Sequence, residues 1–151
     1  MDSISHLMTD DHRRCDHLFA EAEQQVANKN WELAGKNAHA FNAAILHHFQ
    51  HEESTLFPAF EKATGMQGGP THMMRHEHEQ MRQLLAELMD AIDAQNQDRY
   101  LGLSETLLIF MQQHNMKEEQ ILYPMIDQEC AEDSEQLMAG LHSTPENSNA
   151  A

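Results

Sequence analysis

The sequence predicts an all-α protein: an up-down-up-down four-helix bundle built from two pseudo-repeated helical hairpins. Three observations carry that expectation. Apolar residues recur at helical spacing, with no strict alternation long enough for strands. Glycine and proline are sparse, 6 and 4 in 151 residues, and stand where helices should begin or end. The pattern of the first half also returns in the second at a fixed offset.

The first helix is expected over residues 5–27, stopped by the polar run Asn28-Lys29-Asn30. A second covers 31–63 and ends at Thr64-Gly65, where glycine supplies a C-terminal cap. Met66-Gln67-Gly68-Gly69 breaks the chain. Pro70 suits the first turn of a third helix, which needs no N–H there, and that helix runs to residue 94 before the turn Gln95-Asn96-Gln97-Asp98. A fourth spans 99–129. Beyond it, residues 133–141 can form a short C-terminal helix, whereas 143–151 is small, polar and proline-containing and reads as frayed or disordered. A chain of 151 residues fits a single core, so the expected organisation is a bundle domain over 1–130 and a partly disordered extension over 131–151.

The repeat has an offset of 66: placing His48 on His114 aligns HFQHEESTLFPAF with HNMKEEQILYPMI, sharing the frame H-x-x-x-E-E-x-x-L-aromatic-P. The same offset puts His12 on His78, Met8 on Met74, Leu18 on Leu84 and Glu21 on Glu87. Residues that one hairpin points inward should therefore be matched by the other across a pseudo-twofold axis.

Composition narrows the function. With 9 Lys+Arg against 25 Asp+Glu and a formal charge of −16, the chain has no basic footprint for nucleic acid or an anionic membrane. No apolar run of membrane-spanning length occurs, and the first residues lack the basic and apolar regions of a secretory signal, so a cytoplasmic location is expected. Cys15 and Cys130 make no disulfide framework. The anomaly is 12 histidines and 11 methionines beside only 2 tyrosines and 1 tryptophan.

At ~100° per residue, position differences give the helix faces. Met8, His12, Cys15, Phe19, Ala22 and Val26 form one stripe, and Met74, His78, Met81, Leu85, Leu88 and Ile92 form its counterpart. Phe41, Ile45, His48, Glu52 and Ala59 share a face in the second helix; Leu107, Met111, His114, Glu118, Ile121 and Met125 share one in the fourth. Each stripe is thus polar at one level only. Burying four imidazoles and two carboxylates without partners costs several kcal/mol apiece, and a metal removes that cost. An i, i+4 pair such as His48 with Glu52, or His114 with Glu118, can converge on one ion or on neighbouring ions. Six ligands are too few for two isolated octahedral ions but suit two ions sharing carboxylate bridges, and imidazole with carboxylate favours iron or manganese. Which histidines share an ion is left open.

These residues resemble the hemerythrin-like family, also called the HHE cation-binding domain, over about residues 4–127. The paired H-x-x-x-E-E-x-x-L-aromatic-P frames are specific to it. The resemblance implies a bundle holding two non-haem irons with an oxo or hydroxo bridge, and binding of dioxygen or nitric oxide. Carried over by position, the ligands are His12, His48, Glu52, His78, His114 and Glu118, with both glutamates bridging. Oxygen-carrying hemerythrins place a further histidine four residues before the third-helix ligand, where this chain has Met74, and an aspartate five residues after the fourth-helix histidine, where it has Glu119. Two histidines per iron leave each iron a free position. That pattern is most similar to the repair-of-iron-centres proteins, although the chain lacks their N-terminal cysteine-containing domain. The expectation is a carrier, sensor or detoxifying protein for a diatomic ligand; the alternatives are a redox enzyme acting on nitric oxide or peroxide with an electron donor, an iron donor in iron–sulfur cluster repair, and an iron store.

The remaining histidines, including His6, His47, His51, His72 and His76, read as surface residues, and Glu53 and Glu119 as salt-linked surface groups. Cys15 is expected to fill the core, Met8 and Met74 to close the metal pocket, and Tyr123, placed like Phe57 in the repeat, to be a core or capping aromatic.

Overall fold

A computed structural model of the chain describes residues 3–142; the expected disorder of 143–151 lies outside the described residues. Helix α1 spans Ile4–Ala27, α2 Trp31–His51, α3 Phe57–Thr64, α4 Pro70–Asp93, α5 Gln97–Lys117, α6 Tyr123–Glu129 and α7 Ser134–His142. α3 continues α2, and α6 continues α5, each through a five-residue π-helical turn at Glu52–Leu56 and Glu118–Leu122. No strand occurs among the described residues. The long helices α1, α2, α4 and α5 close a ring in which each packs on its chain neighbour and α5 returns to α1. α7, the expected C-terminal helix, packs on α1 and on the turn Glu52–Leu56.

Both hairpin turns are built alike. Lys29 and Gln95 adopt the left-handed region at φ 55° and 52°, and the residue after each, Asn30 or Asn96, caps the next helix by accepting from the N–H of Leu33 or Arg99. These positions are 66 apart, so the repeat extends to the turns. Ser3 caps α1 by accepting from His6 N–H, and Asp127 of α6 accepts from Ile4 N–H at 3.0 Å, pinning the first turn of α1 to α6. Gly65 ends α3 at φ 74°, a conformation that a side chain would strain.

The stripes of α1 and α4 are buried as the 3.6-residue period predicts. The second and fourth helices depart from it. Ala59 and Met125, expected inward, are only half-buried, and Ile121 is 57% exposed, while Leu56, Phe60, Leu122 and Ile126 are buried instead. The π turns explain this one-residue advance. Pro58 and Pro124 offer no N–H, and their rings would meet the carbonyls four residues back, so the wide turn replaces an α turn. In each turn the N–H of the following aromatic, Phe57 or Tyr123, bonds the carbonyl of Glu52 or Glu118 five residues earlier.

A buried polar layer of His12, His48, Glu52, His78, His114 and Glu118 divides the core. On one side lies a large apolar cluster including Phe19, Phe41, Met81, Leu85 and Leu107; on the other a smaller one including Ile4, Leu56, Phe57, Phe60, Leu122 and Ile126. Each fully buried Leu, Ile or Phe contributes ~1.5–3 kcal/mol. The polar layer is therefore held between two apolar walls that exclude water from both ends.

Candidate metal centre

Each of the four long helices brings one histidine to the same level, and each π turn begins with a glutamate. His12, His48, Glu52, His78, His114 and Glu118 are all buried, both glutamates completely. Their inward atoms fall into two sets, Glu52, His78, His114 and Glu118 on one side and His12, His48 and Glu118 on the other, with ligand atoms inside each set within 4.8 Å of one another. The inward atoms of His12 and His48, from one hairpin, thus gather on one side, and those of His78 and His114, from the other, gather on the second. Glu118 spans both, with Oε1 3.0 Å from His12 Nε2 and Oε2 3.3 Å from His114 Nε2. Glu52 Oε1 lies 3.0 Å from His78 Nε2 and 3.6 Å from His48 Nε2.

The imidazoles are aimed by carboxylates that form a circuit around the bundle. His48 Nδ1–H donates to Asp11 of α1 at 2.8 Å, and His78 Nδ1–H to Glu53 of the first π turn at 2.6 Å. His114 Nδ1–H donates to Glu77 of α4, and His12 Nδ1–H to Glu119 of the second π turn, both at 2.7 Å. An ionised carboxylate only accepts, so Nδ1 carries a proton and Nε2 faces inward, where loss of its own proton leaves the lone pair that a metal requires. Cations hold the outer acids in turn: Arg82 Nη2 lies 2.7 Å from Glu53, Lys117 Nζ 2.6 Å from Glu77 and Arg14 Nε 2.9 Å from Asp11. His78 is also sandwiched between the rings of Phe49, 4.1 Å away, and Phe57, 5.7 Å away.

The roles of Asp11, Glu53, Glu77 and Glu119 correct the surface reading of Glu53 and Glu119 and add two residues that the sequence reading passed over. The signal was present, since Asp11 with Glu77 and Glu53 with Glu119 are further pairs at the offset of 66. Helical phase alone places them at the edge of the buried face, and only the bundle geometry aims them at a neighbour's histidine. His6, His17, His39, His72, His76 and His142 are exposed, and His47 and His51 half-buried. Cys15 and Cys130 are buried free thiols. Burial pushes the Cys15 thiol up to about 11, which suppresses its thiolate and fits a core filler.

Without a cation the layer is electrostatically unfinished. Burial alone would lower the histidines, but the carboxylates outweigh it: His48 and His78 are raised, and His114 reaches about 10 because Glu118 and Glu77 face it. Burial and the charge of Glu118 raise Glu52, whereas the surrounding histidines keep Glu118 ionised despite its burial. Glu52 Oε1, Glu118 Oε2, His78 Nε2 and His114 Nε2 are buried and make no hydrogen bond among the described residues. His78 Nε2 and Glu52 Oε1 are close yet not directed at each other, as expected for atoms converging on a third centre. A metal ion satisfies all four, so the donor set fits one.

Tyr123 is the residue whose role the sequence reading missed most clearly. Its hydroxyl donates to Glu52 Oε2 at 2.7 Å, and its oxygen lies 2.9 Å from Glu118 Oε1 and 3.2 Å from Nε2 of both His12 and His48. Burial and the two glutamates push its hydroxyl well above the usual tyrosine range. Its counterpart in the repeat is Phe57, which has no hydroxyl.

The hemerythrin HHE cation binding domain matches residues 3–126, and the chain belongs to that family, whose members bind metal ions, typically iron. An uncharacterized hemerythrin-like protein of Schizosaccharomyces pombe is 25% identical over 140 residues, covering 92% of this chain. The chain spans 66% of that relative's length. No solved structure matches the present chain. No helix among the described residues is long and apolar enough to cross a membrane.

Proposed function

We propose that the chain is a non-haem di-iron protein that binds dioxygen or nitric oxide as a carrier, sensor or scavenger. The observation that carries this reading is the set of four buried, unbonded donor atoms beside histidines whose Nδ1–H groups are anchored on carboxylates. His12 and His48 would hold one ion, His78 and His114 the other, and Glu52 and Glu118 would join them. Two irons held there would supply redox-active positions for a small diatomic ligand.

The chain's own part is positioning and exclusion. Asp11, Glu53, Glu77 and Glu119 fix the imidazole tautomers and strengthen their donor character. Met8 and Met74, 3% exposed and one turn from His12 and His78, place thioether bulk over the layer. Beside Met74 a groove of about 300 Å³ is lined by Met73, Ile121, Leu122 and Lys117, a mostly apolar approach suited to an uncharged diatomic. The related position beside Met8 is more polar, with Asp11 and Arg14, and is bordered by Leu141 and His142 of α7.

Metal analysis with optical spectra tests the proposal. Two irons per chain and a visible band that appears with oxygen and vanishes on its removal would support reversible binding. Consumption of nitric oxide or peroxide with an added reductant would instead support redox catalysis at the same centre. Absence of bound iron after anaerobic loading would contradict both.

A further inference from the structure

Among the groups that face the centre of the layer, the two halves differ at one atom. The repeat matches every histidine, glutamate and anchoring acid, but pairs Tyr123 with Phe57. The Tyr123 oxygen stands 2.7, 2.9, 3.2 and 3.2 Å from Glu52 Oε2, Glu118 Oε1, His12 Nε2 and His48 Nε2. Metal bonds to nitrogen and oxygen of ~2.0–2.2 Å put neighbouring ligands of an octahedron ~2.8–3.1 Å apart and opposite ones ~4.0–4.4 Å apart. The phenol oxygen is therefore within about 0.1 Å of neighbouring-ligand distance from four donors. The rest of that set agrees, with His12 Nε2 3.0 Å from Glu118 Oε1 and His48 Nε2 4.0 Å from it, a neighbouring and an opposite pair. As donor of one proton and acceptor at two lone pairs, the phenol oxygen can satisfy three of these four contacts, so hydrogen bonding alone leaves one over.

We propose that Tyr123 is a protein ligand of the ion held by His12 and His48, which makes the two metal positions inequivalent and leaves the exchangeable position on the ion held by His78 and His114. This rests on the di-iron reading. On coordination the phenol O–H bond breaks as the oxygen–metal bond forms, and the proton leaves to solvent with no change of oxidation state. Phe57 gives the second ion no such ligand; its ring lies against His78 instead. The apolar groove by Met74 and Leu122 lies on that same side.

The test is the visible spectrum and iron content of the full chain loaded with ferrous iron and oxidised in air. A phenolate bound to ferric iron gives a visible charge-transfer band whose excitation enhances phenol ring vibrations in resonance Raman. Tyr123→Phe is expected to abolish the band and those vibrations while keeping both irons. Phe57→Tyr, made in an otherwise unchanged chain, is expected to roughly double the band by giving the second ion its own phenolate; it also serves should Tyr123→Phe fail to fold. Two irons with a spectrum free of phenolate vibrations, or one unchanged by Tyr123→Phe, would overturn the tyrosine assignment alone. Failure of the unaltered chain to take up iron would overturn it together with the di-iron reading.

Discussion

His78 and His76 sit two positions apart on α4, yet one is fully buried between Phe49 and Phe57 and the other is exposed. Replacing His78 by Ala should sharply lower bound iron per chain, whereas His76→Ala should leave it unchanged; equal losses measured by metal analysis would refute the facial distinction. The acids behind the histidines make a second prediction. Glu77→Gln keeps a hydrogen-bonding side chain beside His114 but removes the charge, and second partners of this kind typically alter metal affinity ~10–100-fold, so competition with a chelator should show weakening in that range. The facing of all four histidines was legible from spacing because one helix phase governs both Cα position and side-chain direction. The anchoring acids were not, because each pairs with a histidine on a different helix.

At the scale of elements, the two π turns decide which residues enter the smaller apolar cluster. Each starts on a glutamate of the layer and ends just before an aromatic–proline pair, so the wide turn is tied to both the metal layer and the missing proline N–H. The exposed Ile121 and the buried Ile126 allow a direct check. Ile126→Ala should cost ~2–5 kcal/mol of unfolding free energy, and Ile121→Ala no more than ~0.5 kcal/mol. Comparable losses by denaturant unfolding would restore the uninterrupted helix that the period implies. Helix order and the hairpin repeat were readable because hydrophobic periodicity and turn residues are local signals. The register after residues 52 and 118 was not, because a π turn changes the phase without changing composition, although the shared leucine–aromatic–proline ending marked where to look.

For the whole molecule, charge and fold meet at one level. Six acids, Asp11, Glu52, Glu53, Glu77, Glu118 and Glu119, surround four histidines, a concentration of negative charge within a chain already at −16. In the metal-free protein, His114 is raised from its ordinary 6.5 to about 10, so its protonated form stabilises the fold fully below pH 6.5 and that contribution fades as pH climbs to about 10. Glu53 is lowered from 4.5 to about 2, so its contribution is complete above pH 4.5 and fades as pH falls to about 2. Thermal unfolding of the metal-free chain should accordingly lose stability on the alkaline side of 6.5. Bound metal should flatten that loss, because a ligating imidazole is already neutral at Nε2, and at a free-metal concentration 100 times Kd it should add about 2.7 kcal/mol. An unchanged melting temperature on metal addition would contradict this coupling. The most direct measurement of the central claim is anomalous scattering at the iron edge from crystals of the iron-loaded chain. Two peaks are expected, one beside His12 and His48 and one beside His78 and His114, with Glu52 and Glu118 between them. A single peak, no peak, or iron seated away from these six residues would contradict it.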